Sequence, residues 1–185
     1  MPLNLLNYVC TTIGQKRKMI TLYPCKNNKR DARIAFSWRN DPKTVAASYI
    51  ALPKSWDSFW LEYSEGYFED SRFAPVFIVE SGEPAGFIRF EKALLPDYPD
   101  QIIIEVMINV APSRRGEGIG TEALLAVCRH MKEKGVFALL ADIRKTNKAS
   151  RAAFEKAGFV LSGERNEYIA KTKENCCILC YLCKL

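Results

Sequence analysis

Three glycines at alternate positions, Gly116, Gly118 and Gly120, stand between two segments of opposite character. Gln101–Val110 before them is the longest β-branched run of the chain. The residues after them read as a helix to about Lys134, stopped by Gly135. Glycine weakens a helix and a strand alike, so three of them at a strand–helix junction imply that main chain must approach a partner closely. The first amides of a helix are unpaired and lie at the positive end of its dipole. With Arg114 and Arg115 directly ahead of the glycines, the turn reads as an anion site fit for phosphate. The competing reading, a flexible loop with solvated arginines, leaves the cost of the glycines without a use.

Two familiar phosphate devices do not fit. A P-loop needs Gly-Lys-Ser or Gly-Lys-Thr at the helix start, and neither is there. A dinucleotide fingerprint can be traced over Gly118–Ala123, with Asp142 about 20 residues on. Its context is wrong. Ala111–Arg115 separate the strand from the glycines, a β-meander precedes that strand, and too little chain follows for a second nucleotide-binding half.

The rest of the chain is organised around this turn. Met19–Pro24 reads as a strand and Asp31–Trp38 as a helix stopped by Asp41-Pro42. Ser55–Tyr67 reads as a second helix, with Trp56, Phe59, Trp60 and Tyr63 on one face. Pro75–Glu80 and Ala85–Glu91 flank a Ser81–Pro84 turn and form a hairpin. Beyond the glycines come a strand over Val136–Ile143, a helix over Lys148–Ala157 stopped by Gly158, and a strand over Phe159–Gly163. The last strand, Cys176–Leu182, is apolar on both faces and therefore central in its sheet. The order β-α-α-β-β-β-α-β-α-β-β predicts an α/β (α+β) architecture: a mixed sheet, antiparallel first and crossing over later, flanked by helices.

At 185 residues the chain reads as one domain, with a core large enough to need neither disulfide nor metal. Residues 1–18 read as an N-terminal extension and 19–185 as the domain. Met1–Cys10 is apolar and Lys16-Arg17-Lys18 follows it, the reverse of the order in an export signal. Seven cysteines, an odd number with Cys176 and Cys177 adjacent, point to reduced thiols and a cytoplasmic location. No apolar run reaches the ~18 residues of a spanning helix, and no membrane partner is expected.

Two segments resemble a known family. Val110–Gly120 resembles the R/Q-x-x-G-x-G/A signature of the GNAT acyltransferase superfamily, through Arg115, Gly118 and Gly120. Asn147–Phe159 is similar to the family's N-x-x-S/A-x-x-x-Y/F-x-x-x-G-F segment, through Asn147, Ser150, Phe154, Gly158 and Phe159. Trp38–Pro42 together with Pro84–Phe90 is similar to bacterial members that acetylate amino sugars. The resemblance runs from about residue 19 to the C-terminus. It implies the GNAT acyl-CoA N-acyltransferase fold, acetyl-CoA as cosubstrate and transfer of acetyl to a small-molecule primary amine, foremost that of a nucleotide-linked amino sugar. Protein N-termini, polyamines and aminoglycosides are the alternative acceptors. A CoA-binding module without turnover is the non-enzyme alternative, and a monomer or homodimer is expected.

The resemblance also implies roles. Arg115, Gly116, Gly118, Ile119, Gly120 and Thr121 would hold the pyrophosphate through backbone N–H groups and the helix start. The preceding strand would splay from its neighbour, its main chain at Ile108, Asn109 and Val110 pairing with the pantetheine arm. Asn147 would hydrogen-bond that arm, or cap the helix behind it, or both. Ser150 and Phe154 would adjoin the cofactor. Trp38, Arg39, Asn40 and Arg89 would face the acceptor.

Acyl transfer from a thioester to an amine needs a neutral amine, a stabilised oxyanion and a proton for the departing thiolate. The Ile108 N–H is the candidate for the oxyanion. Glu105, a carboxylate amid apolar strand residues, is the candidate base; equally it is a glutamate on a face covered by solvent or by Arg89. Alternation places it with Met107 and Asn109, opposite Ile108 and Val110, unless a bulge shifts the parity. Many family members carry a tyrosine where this chain has Phe154, which cannot donate a proton. Ser150, Tyr168 or water must then act, or a thiol of pKa about 8.5 leaves unaided.

Other features carry less. Cys177-x-x-Cys180-x-x-Cys183 would alternate faces in a strand, so the three thiols cannot converge on one ion and no metal is expected. His130 reads as a surface residue beside Arg129 and Lys132. The net charge of +6 suits anionic CoA and a nucleotide sugar, and no nucleic-acid motif accompanies it.

Overall fold

The computed structural model describes residues 6–7, 19–48, 52–169 and 173–185. Eight strands form one sheet in the order β1-β2-β3-β4-β5-β6-β8-β7. They are β1 (Leu6–Asn7), β2 (Ile20–Pro24), β3 (Val76–Glu80), β4 (Glu83–Ala93), β5 (Ile103–Val110), β6 (Ala138–Arg144), β7 (Val160–Ile169) and β8 (Glu174–Lys184). The helices are α1 (Lys29–Arg39), α2 (Pro42–Ala47), α3 (Trp56–Leu61), α4 (Ile119–Glu133) and α5 (Lys148–Lys156). Only the β5–β6 pairing is parallel; every other neighbour is antiparallel. The mixed sheet flanked by helices is the architecture the sequence predicts. Of residues 1–18, expected as an extension, only Leu6 and Asn7 lie among the described residues, paired with Leu22 and Thr21.

Two apolar layers cover the sheet. On one face α4 and α5 pack Ile119, Leu124, Val127, Met131 and Phe154 against Ile78, Ile88, Ile104, Val106, Leu139 and Tyr181. On the other, α1 and α3 set Ala32, Ala35, Phe59 and Tyr63 on Phe77 and Phe87. The aromatic face read in the second helix is thus core, with Tyr63 fully buried. Past Leu61 this helix widens into one π-turn, Glu62–Gly66, where the Tyr67 N–H reaches back to the Glu62 carbonyl at 3.2 Å.

Three expectations are corrected. Asp41-Pro42 does not only stop α1: Asp41 caps a further helix, α2, by accepting from the Thr44 N–H at 3.0 Å with Pro42 in its first turn. The hairpin turn is just Ser81 and Gly82, both at positive φ (54° and 83°), and β4 begins at Glu83. The strand expected over Phe159–Gly163 runs on to Ile169 as the sheet edge, with β8 inside it as foreseen. Along β8, Cys177 and Cys183 pack toward the α4 layer while Cys180 meets Arg165 on the opposite face, so the thiols do alternate. They are half-buried, less enclosed than a core reading requires.

Candidate active site

β5 and β6 are eight and seven residues long, yet they pair only at Ile103↔Ala138, Ile104↔Leu139 and Glu105↔Leu140. Beyond Glu105 they diverge, and the sheet opens as a wedge with Glu105 at its vertex. Main-chain direction along β5 follows from two bonds. Ala111 donates to Ala85 of the β4 side at 2.9 Å, and Ile102 accepts from Phe137 of the β6 side at 2.9 Å. Successive residues of a strand direct their N–H and C=O to opposite sides. Val106, Ile108 and Val110 therefore turn their main-chain groups into the wedge. Asn109 does not: its carbonyl lies against Gly86 of β4, 2.8 Å from where a Cβ would sit. The expectation that Asn109 offers main chain to a pantetheine arm is corrected on this ground.

The glycine turn closes the wide end. Gly116 and Gly118 adopt φ of 78° and 80°, and Gly118 caps α4 with no side chain on the first-turn amides. Ile119 is buried in the core, so any part it has in binding comes from its N–H. Gly120 sits under Val110, whose Cγ2 would lie 3.5 Å from an added Cβ. The arginines differ from expectation. Arg114 is held by Glu80 at 2.7 Å and by Glu117 at 3.2 Å, and Arg115 by Asp41 and the Thr44 hydroxyl, each at 2.6 Å. On the opposite lip Asn147 caps α5, accepting from the Ser150 N–H at 3.1 Å, while its amide donates to the Ala47 carbonyl at 3.3 Å. Ser150 is half-buried one turn from Phe154. The Phe154 ring is corrected from a cofactor contact to a core residue: it is 3% exposed and stands edge-on to Phe159 at 4.8 Å. Tyr168 is corrected too. It is 63% exposed near the end of edge strand β7, with β8 between it and the wedge.

Glu105 lies on the α1/α3 face, because β4 and β5 run in unbroken register with Glu91 opposite Glu105 and Arg89 opposite Met107. Burial, then the Asp142 and Glu91 carboxylates, push its carboxyl above the usual range; Arg89 and Arg165 pull the other way. Around it the expected acceptor residues are tied into a network that the sequence did not announce. Arg89 pairs with Glu62 at 3.1 Å and with Glu91, and lies over the Tyr67 ring at 5.1 Å. Glu62 also takes Lys54 and, at 3.0 Å, the Tyr67 hydroxyl. Arg39 donates to the Leu52 carbonyl at 2.6 Å and to Asn40 at 2.8 Å, and the Asn40 amide donates to the Lys54 carbonyl at 2.7 Å. Burial, then Arg39 and Arg89, bring the Lys54 ammonium down to about 8. Trp38 stands apart, packed edge-on against Phe77 at 6.1 Å. Next to this network a cavity of about 400 Å³ is lined by Tyr67, Glu69, Asp70 and Glu91, among others. His130 is half-buried rather than on the surface, and burial lowers its imidazole.

An open strand edge leading to uncapped helix amides has the shape and polarity for an extended amide arm that ends in a diphosphate. Residues 20–160 match the acetyltransferase (GNAT) domain. The chain belongs to the GNAT acetyltransferase family. The matched domain is an acetyltransferase domain. Among solved structures, the GNAT fold recurs in an acetyltransferase of this family from Bacillus anthracis (TM-score 0.71, 14% identity, 92% of this chain and 96% of that one). It recurs in an aminoglycoside acetyltransferase in complex with coenzyme A (0.70, 18%, 89% and 94%). A third is a ribosomal-protein-alanine N-acetyltransferase from Brucella melitensis (0.69, 19%, 89% and 99%). The narrower likeness to amino-sugar pathway enzymes finds no support in these matches. No curated protein matches the chain. Among the described residues no helix is long and apolar enough to cross a membrane.

Proposed function

We propose that this GNAT enzyme acetylates a small, positively charged primary amine, with Glu105 as general base. The observation that carries the reading is the position of Glu105: it is the last β5 residue paired with β6, where the wedge begins, on the face that also bears the polar network. The diphosphate of acetyl-CoA would rest on the amides of residues 116–121, and the pantetheine arm would pair with the main chain of Ile108 and Val110. Asn147 would meet the arm with whichever amide bond it does not give to Ala47. The thioester carbon then comes between the vertex and Ile108, whose N–H steadies the oxyanion. Glu105, its carboxyl made more basic by burial, takes a proton from the incoming ammonium. Ser150 or water returns a proton to the thiolate, since Phe154 has none to give.

The charge balance at the acceptor side separates the candidate amines. Arg39 is committed to a carbonyl and an amide, Lys54 and Arg89 to glutamates and Lys92 to Asp70, so each of these described cations already has a partner. In the adjoining cavity three carboxylates, Glu69, Asp70 and Glu91, outnumber the one lysine, Lys92, which favours a cation. A nucleotide-linked amino sugar, foremost on the sequence alone, therefore ranks below polyamines and aminoglycosides. Thiol release from acetyl-CoA is the test, with spermidine, an aminoglycoside, a peptide N-terminus and a UDP-linked amino sugar as acceptors. The reading expects turnover with the cationic amines; exclusive turnover with the UDP sugar overturns it. The expected location is the cytoplasm, in keeping with the free thiols.

A further inference from the structure

The short helix α2 ties together both lips of the wedge. At its start, Asp41 and Thr44 hold the same nitrogen of Arg115, each at 2.6 Å. At its end, the Ala46 carbonyl accepts from Arg144 and the Ala47 carbonyl from Asn147, both at 3.3 Å. Arg115 follows β5, Arg144 ends β6 and Asn147 begins α5, so six residues of helix bridge the opening. Of these three anchors the proposed function gives Asn147 to acetyl-CoA, and Arg115 directly precedes the amides on which it rests the diphosphate.

We propose that Asp41 is a positioning residue that sets cosubstrate affinity: its carboxylate occupies the Arg115 guanidinium in place of a phosphate, and α2 is a strap that the diphosphate of acetyl-CoA releases. The inference rests on the diphosphate reading of the glycine turn. Its sign follows from elementary electrostatics. A carboxylate in contact with a guanidinium cancels most of that cation's pull and repels a second anion arriving beside it. Arg115, in its direct hydrogen bond, and the Thr44 N–H hold Asp41 in its ionised form. The other carboxylates at this turn, Glu80 and Glu117, are engaged by Arg114. Displacing Asp41 would free the N-terminal end of α2 from one lip, while Ala46 and Ala47 keep it hinged on the other. The end that moves adjoins Asn40, whose side chain bonds both the carbonyl and the N–H of Lys54 in the acceptor network. Cosubstrate would thereby reshape the acceptor side before the amine enters.

Asp41→Asn tests this, because asparagine caps a helix about as well as aspartate and removes only the charge. In calorimetry at low salt, CoA should bind about threefold tighter or more, a gain that shrinks as salt screens the site. S-acetylpantetheine, which has no diphosphate, should bind as before. Thr44→Val leaves the cap carboxylate in place and loosens the second grip, so it should give a smaller gain in the same direction. The strap is overturned if neither variant binds CoA more tightly, or if the pantetheine compound gains equally. Arg115→Ala and Gly118→Ala separate the two ideas. If both leave CoA affinity intact, the diphosphate reading itself fails. If they weaken CoA while Asp41→Asn does not strengthen it, only the strap fails.

Discussion

Glu105 shows what one residue's surroundings dictate. A carboxyl whose folded pKa is raised works against the fold at high pH: its stabilising, protonated state is complete below the unfolded pKa and is lost as pH rises through the folded one. Glu105→Gln should therefore raise the melting temperature at pH 8 and leave it nearly unchanged at pH 4. The same variant should lose about 10²–10⁴-fold in kcat with little change in KM for acetyl-CoA. In the parent enzyme the acid limb of the kcat profile should fall above the ordinary carboxylate range, and it should vanish in Glu105→Gln. A limb that survives the substitution would assign it to another group. Gly118 makes a different demand. At φ of 80° an alanine carries strain of about 1 kcal/mol or more, although nothing obstructs the added methyl, so Gly118→Ala should misplace the first α4 amides and weaken CoA binding.

At the level of elements, Gly86 is set by contact rather than by conformation. An added Cβ would lie 2.6 Å from Ile78 Cδ1 and 2.8 Å from the Asn109 carbonyl, at the point where β3 and β4 shift register. Gly86→Ala should lower stability by about 1–3 kcal/mol in denaturant titration and push β5 toward the wedge. Such close approaches are not written in composition, and Pro84-Ala-Gly86 read as part of a hairpin and of a family likeness, not as a tight contact. By contrast the strand–glycine–helix unit, the Asn147 cap and the parity of Glu105 were legible, because each depends on local spacing. What escaped was long-range pairing. Glu62 looked like an ordinary helix residue until the π-turn set its carboxylate against Tyr67 and Arg89. α2 left a signal that could have been caught, since aspartate followed by proline is as good a helix start as a stop. Phe154 was placed by family pattern and Tyr168 only as a substitute proton donor; the depth of the core and the edge position of β7 overrule those placements. In the π-turn, deleting one residue between Tyr63 and Gly66 would restore ordinary α winding. Tyr67 would then stand four residues after Glu62 on the same helix face, so the hydroxyl–carboxylate contact and turnover should survive the deletion.

Across the whole molecule, the six cysteines among the described residues are all free. Melting temperatures with and without reductant should coincide, and a large drop on reduction would show otherwise. The sheet itself is two halves, β1–β5 and β6-β8-β7, joined through only three parallel pairs and the connection that carries α4. A ligand laid along the inner edge of β5 would knit them together, which gives the molecule a built-in reporter. In deuterium exchange of the free enzyme, the amides of Ile108 and Val110 should label quickly and those of Met107 and Asn109 slowly, like alternate teeth of a comb. Saturating CoA should fill in the missing teeth and leave the others as they were.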